Sequence, residues 1–226
     1  MTGIISDIHG NYPALKAVLQ QIDKAGCNKI ISLGDVAGYY CMINECIYEL
    51  RERNIINILG NHDNYIISNS RCERSYSANL CLDYQRKILT SENIDWLHQS
   101  VPYIKEHGYW MVHGGWKDFI DEYINDYSFL DIPGKEIHSY LSGHTHIQTF
   151  IRGKYADYYN PGSVGQPRDG HASAAYAIID EYYNLHLKRT EYDIEQIIFE
   201  MRKAGFSERI SSCLYYGCKI GQDFIL

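Results

Sequence analysis

Five short apolar runs in this 226-residue chain end in a side chain able to bind a metal, and glycine sits beside most of those ends. The run at residues 3–6 leads into Asp7-Ile8-His9. The run at 29–33 leads into Gly34-Asp35, and the run at 55–59 into Gly60-Asn61-His62-Asp63. Further on, residues 109–112 lead into His113-Gly114-Gly115, and residues 140–142 into Gly143-His144-Thr145-His146. In open α/β sheets, sites form in the crevice beyond the carboxyl ends of the strands. One Asp or His at such a place is usually a cap or a solvated turn residue, but recurrence at five ends points to one shared site. Asp7 and His9 are two apart, as are His144 and His146; in extended backbone such pairs face one side.

The segments between these ends read as helices. Residues 13–25 carry Leu15, Val18, Leu19 and Ile22 at helical spacing, with Pro13 in the first turn and Gly26 past the end. Residues 43–53 place Ile43, Cys46, Ile47 and Leu50 on one face. Strands spaced by such helices imply right-handed crossovers and a largely parallel sheet. Helices are expected again over 75–89 and 92–99. Beyond them short strand candidates crowd together at 109–113, 139–142, 148–152, 155–160, 173–180 and 184–190. Asp193 reads as the cap of a last helix, with Gln196 three residues on. The expectation is an α/β chain with a β-rich second half: one domain over 1–226, with a helical segment over about 193–226.

Composition narrows the function. A net charge of −7 disfavours a broad footprint on long DNA or RNA. The apolar runs are of strand length, well short of the roughly 20 residues of a membrane span. Residues 1–7 lack the basic and apolar regions of a secretory leader. Seven cysteines without close pairing suit unpaired thiols in a reducing cytoplasm. The expected partner is a small phosphorylated molecule, with no membrane and no long nucleic acid; oligomeric state is open.

Imidazole, carboxylate and amide oxygen together suit Mn²⁺, Fe or Zn²⁺ better than Ca²⁺ or Cu⁺. Seven candidates, Asp7, His9, Asp35, Asn61, His113, His144 and His146, are too many for one ion and suit two that share a carboxylate. Two such ions about 3.5–4 Å apart clamp a phosphoryl group for in-line displacement. In order and spacing these motifs resemble the calcineurin-like metallophosphoesterase superfamily, and the run from Asn160 to Arg168 resembles a segment of its small bacterial members labelled after diadenosine tetraphosphatase. The resemblance implies a four-layer αββα sandwich of two mixed sheets flanked by helices. It implies that Asp7, His9 and His146 hold one ion, that Asn61, His113 and His144 hold the other, and that Asp35 bridges them. Mn²⁺ is expected first, with Fe, Zn²⁺ or Ni²⁺ as alternatives. His62, Asp35 and Asn61 would form the catalytic set: a hydroxide bridging the metals attacks a phosphate mono- or diester of a small, nucleotide-like substrate, and His62 faces the leaving group.

The sequence departs from the protein-phosphatase branch of that superfamily, which carries Gly-Asp-x-x-Asp-Arg-Gly. Here Gly34-Asp35-Val36-Ala37 continues into Gly38-Tyr39-Tyr40, so the second Asp and the phosphate-binding Arg are missing. Arg168 is the candidate replacement cation for substrate. What orients His62 is left open, although Asp63 follows it in the chain. Tyr39, Tyr40 and Trp116 are weaker candidates for the wall of a substrate cleft. His98, His107, His138, His171 and His186 fall outside the motifs and read as ordinary histidines. Two alternatives stand beside the hydrolase: a non-catalytic protein-binding scaffold of the same fold, which tends to lose ligands, and a nuclease, which needs a basic track.

Overall fold

A computed structural model describes residues 1–134 and 136–221. The chain alternates strand and helix first: β1 (Thr2–Ile5), α1 (Tyr12–Lys24), β2 (Lys29–Ser32), α2 (Ile43–Glu52) and β3 (Ile56–Asn57). Helices α3 (Asn61–Ile67), α4 (Tyr76–Ile88) and α5 (Ser91–His98) follow. Then come β4 (Ile104–Glu106), β5 (Tyr109–Met111), β6 (Ser139–Leu141), β7 (Thr149–Arg152), β8 (Asp157–Asn160), β9 (Ala174–Ile179) and β10 (Leu185–Thr190). The described residues close with α6 (Ile194–Lys203), α7 (Glu208–Ser211) and a 3₁₀ turn, Ser212–Tyr215. Residues 222–226 of the expected C-terminal segment lie outside the described residues.

Two five-stranded sheets result, ordered β10-β9-β1-β2-β3 and β4-β5-β6-β8-β7. The parallel expectation holds for β1, β2 and β3; β9 and β10 complete that sheet antiparallel. The β-rich half is therefore shared between both sheets. Strand alternation distributes the core. Ile4 and Ile31 face the second sheet, where they meet Tyr109, Met111 and Leu141. Ile5 turns the other way, under Leu15, Val18, Leu19 and Ile22 of α1. Asn11 caps that helix by accepting from Ala14 N at 3.3 Å.

The outer face of the second sheet has a thinner cover. There Trp116, Tyr127 and Phe129 pack on Leu130, Ala156 and Tyr158, and the regular element is the 3₁₀ turn Ser128–Asp131. Helices α6 and α7 bury Ile197, Met201 and Ile210 against Tyr39, Tyr40, Cys41 and the α4 residues Ala78 and Cys81. All seven cysteines are free, and six are buried. No helix among the described residues is long and apolar enough to cross a membrane.

Candidate metal centre

The ends of β1, β2, β3, β5 and β6 meet at one place, and the backbone there is unusual. Asp7, His9, Asp35, His144 and His146 have φ of 54°, 53°, 57°, 67° and 62°. Non-glycine residues avoid this left-handed region at a cost of roughly 1–2 kcal/mol each, and such strain concentrates at functional sites. The pairs two apart therefore do not converge through extended backbone, as their spacing suggests; each member turns into the site through its own left-handed residue. Neighbouring chain holds them there. Asp7 N donates to Gly34 O at 2.9 Å, His9 N to Asp35 O at 3.0 Å, and Ser163 Oγ to Asp7 O at 2.7 Å. Glycine is needed for close approach: a methyl group at Gly60 would overlap Asp35 Oδ1, and one at Gly143 would overlap Ser6 Oγ.

All seven ligand-type residues and His62 are buried. Asp7, His9 and His146 bring one donor atom each within 4.8 Å of one another, as do Asp35, His113 and His144. His9 Nε2 lies 3.0 Å from His146 Nε2. The Nδ1 atoms of these two rings face carbonyl oxygens, Ala37 O at 2.8 Å and Gln166 O at 2.6 Å. Burial pushes both imidazoles well below 6.5, so they are neutral. Each proton then sits on Nδ1, and two bare lone pairs oppose each other across 3.0 Å. A cation between them turns that repulsion into ligation. Asp7 Oδ1 is 3.3 Å from His146 Nε2, and Asp35 Oδ2 is 3.8 Å from His9 Nε2. On the other side of Asp35, His113 Nε2 stands 3.4 Å from Asp35 Oδ2 and 3.1 Å from Asn61 Oδ1. His144 Nδ1 is also 3.1 Å from Asn61 Oδ1. The residues present thus fit two cations with Asp35 between them.

Charges in the site are set by burial and by each other. Burial raises Asp7 to about 6. For Asp35, burial pushes upward, but His113, His62 and His9 outweigh it and hold the carboxyl well below its usual range. Burial lowers His62 to about 4 and His144 to about 3. Burial also opposes the charge on His113, but Asp35 prevails and holds it at about 9.

A cavity of about 390 Å³ opens over Asp35, Asn61, His62, His144 and His146. His62 Nδ1 is buried without a partner, while its backbone N–H donates to Asp35 Oδ1 at 2.8 Å. Asp63 turns away from the His62 ring and accepts from Asp35 N at 3.0 Å and Ala37 N at 2.9 Å. Arg168 lines the cavity, 5.4 Å over the Tyr39 ring and bonded to Gln166 Oε1 at 2.6 Å. Tyr39 also lines it, whereas Tyr40 is wholly buried in the core beneath. Trp116 belongs to the aromatic cluster on the second sheet. The five histidines outside the motifs do not line the cavity. Arg74, Tyr123 and Lys219, which do, carry no signal in the sequence: none stands at a strand end or beside a metal-type motif.

The arrangement gathers ligand-type side chains with room for two cations at the strand ends of a two-sheet fold. The family model of the calcineurin-like phosphoesterase superfamily domain matches residues 1–182. An uncharacterized protein of Methanocaldococcus jannaschii, MJ0912, is 32% identical over 96% of this chain and 98% of its own length. A metallophosphoesterase crystal structure from Sphaerobacter thermophilus superposes with a TM-score of 0.82 at 29% identity, covering 96% of this chain and 98% of that one. The hypothetical protein PH1004 from Pyrococcus horikoshii shares the fold with a TM-score of 0.84 at 23% identity, over 97% and 100% of the two chains. The chain belongs to the calcineurin-like phosphoesterase superfamily.

Proposed function

We propose that this protein is a two-metal phosphoesterase acting on a small phosphorylated substrate, a nucleotide-like mono- or diester. The observation that carries the reading is the 3.0 Å approach of two neutral, lone-pair-bearing imidazole nitrogens, His9 Nε2 and His146 Nε2, beside a carboxylate that a second ligand cluster shares. Asp7, His9 and His146 would hold one ion, Asn61, His113 and His144 the other, with Asp35 between. Mn²⁺ suits this donor set. Two divalent ions there would supply a nucleophile near neutral pH and neutralise charge on the phosphoryl oxygens.

The protein's own groups do the rest. Arg168, which lies 5.4 Å over the Tyr39 ring, offers its guanidinium to an ester oxygen at the cavity wall. His62 faces the same cavity and is assigned to the leaving group. Burial keeps it neutral alone, so an entering anion is what draws a proton onto its ring.

Purified protein with Mn²⁺ is expected to hydrolyse an aryl phosphate mono- or diester, and chelator is expected to abolish turnover. Replacing His62 with Ala is expected to cut turnover by about 10²–10⁴-fold while two bound ions remain. A metal-loaded wild type inert toward both ester types would overturn the reading; loss of metal in the His62→Ala variant would overturn only the role given to His62.

A further inference from the structure

A ligating histidine presents one ring nitrogen to the metal, and the other carries a proton that needs an acceptor. For three of the four ligand-type histidines a backbone carbonyl answers that need: Ala37 O for His9, Leu33 O for His113 and Gln166 O for His146, at 2.8, 2.8 and 2.6 Å. His144 is turned the other way. Its Nδ1 faces Asn61 Oδ1 at 3.1 Å, so Nε2 is its outer nitrogen. That Nε2 is buried and has no hydrogen-bond partner. One carboxylate approaches it, Asp121, whose Oδ1 is 3.5 Å away.

Asp121 belongs to the chain that follows His113-Gly114-Gly115. It is ion-paired with Arg74, from the turn ahead of α4. Arg74 also lies 5.4 Å over the ring of Tyr123, and Tyr123 packs 4.2 Å from the ring of His144. One arginine therefore holds both side chains that cover this histidine. As a surface ion pair alone, Arg74 and Asp121 would contribute little. Their place against an unanswered imidazole nitrogen gives the pair a second use.

We propose that Asp121 is a positioning residue for the second metal ion: it accepts from His144 Nε2, which fixes the tautomer that leaves the Nδ1 lone pair for the metal, and Arg74 latches it in place. The inference rests on the two-ion reading above, and its test reads metal binding rather than turnover.

Mn²⁺ is titrated calorimetrically into the chelator-stripped full chain, into Asp121→Ala, Asp121→Asn and Arg74→Ala, with thermal melts of the metal-free proteins alongside. The wild type is expected to take two ions. Asp121→Ala is expected to weaken one of them by about 10–100-fold and to leave the other unchanged. Asp121→Asn keeps an acceptor oxygen and is expected to recover part of the loss; Arg74→Ala is expected to weaken the same ion by less. An Asp121→Ala protein that binds both ions as the wild type does, or loses affinity for both alike, overturns the inference. A wild type that takes fewer than two ions overturns the two-ion reading, and this inference falls with it.

Discussion

Asp63 stands next to His62 in the chain yet serves a different residue. Its carboxylate accepts from the backbone N–H groups of Asp35, Ala37 and Gly60 at 3.0, 2.9 and 3.4 Å, and from Asn57 Nδ2 at 3.1 Å. It therefore braces the left-handed turn that presents Asp35, whose Oδ2 stands 3.8 Å from His9 Nε2 and 3.4 Å from His113 Nε2. Burial and the nearby Asp35 raise Asp63 to about 7, so the bracing group exchanges its proton near neutrality. Asp63→Ala strands buried donors at about 1–3 kcal/mol each. The variant is expected to lose at least ~3 kcal/mol in urea unfolding, with Asp63→Asn between it and the wild type. An unfolding midpoint equal to the wild type would show that the Asp35 turn holds itself. Nothing equivalent stands behind the His62 ring, whose Nδ1 is unpartnered; the missing second Asp of the protein-phosphatase motif has no substitute among the described residues.

At the scale of elements, the C-terminal helices lie beyond the residues that the family model matches, yet they reach the site. Ile197 and Met201 of α6 pack on the segment 39–41 that follows Asp35, and Lys219 and Ile220 line the cavity. Ile197→Ala is expected to cost about 2–5 kcal/mol and, by loosening Tyr39 beneath Arg168, to raise KM for an aryl phosphate more than it lowers kcat. Loss of stability at unchanged KM would reduce α6 to a buttress. Where sequence patterns are local, they foretold the elements closely. The helix expected at 13–25 is Tyr12–Lys24, because an apolar stripe and a first-turn proline both lie within it. The strand expected at 55–59 shortens to Ile56–Asn57, an edge strand paired with β2 alone, and Ile58 is left with a single bridge to Val101. Helix α3 was hidden because its first turn is Asn61-His62-Asp63, side chains spent on the site and its bracing rather than on an apolar stripe. β4 was hidden because Ile104-Lys105-Glu106 offers one apolar residue. The eight site residues were legible as strand-end motifs. Arg74, Asp121 and Tyr123 were not, because loops distant in sequence bring them together.

The whole molecule buries an array of imidazoles and carboxylates, and this ties its stability to pH. Burial lowers His62 to about 4 and His144 to about 3, against an ordinary 6.5, and carries His9 and His146 well below 6.5 too. Between those values and 6.5 the unfolded chain binds protons that the folded chain refuses. Their contribution is therefore complete above about pH 6.5 and is lost as pH falls through 4 to 3. Asp7 and Asp63, raised by burial to about 6 and about 7, work in the opposite sense: their contribution is complete below 3.8 and is lost as pH rises through 6 to 7. His113, held at about 9 in the fold, adds to that opposing sense: its contribution is complete below about 6.5 and is lost as pH rises through 9. The four lowered imidazoles outweigh the two carboxylates and His113 between pH 5 and pH 7, so the chelator-stripped protein is expected to unfold at lower urea at pH 5 than at pH 7. Metal sharpens the contrast, because ligation needs bare imidazole and ionised carboxylate. At pH 7, free Mn²⁺ at a hundred times its dissociation constant is expected to add about 2.7 kcal/mol per site; the same concentration at pH 5 should add far less. Urea melts at both pH values, with and without Mn²⁺, check both statements. A metal increment that is the same at pH 5 as at pH 7 would mean that the bound ions do not sit on these histidines.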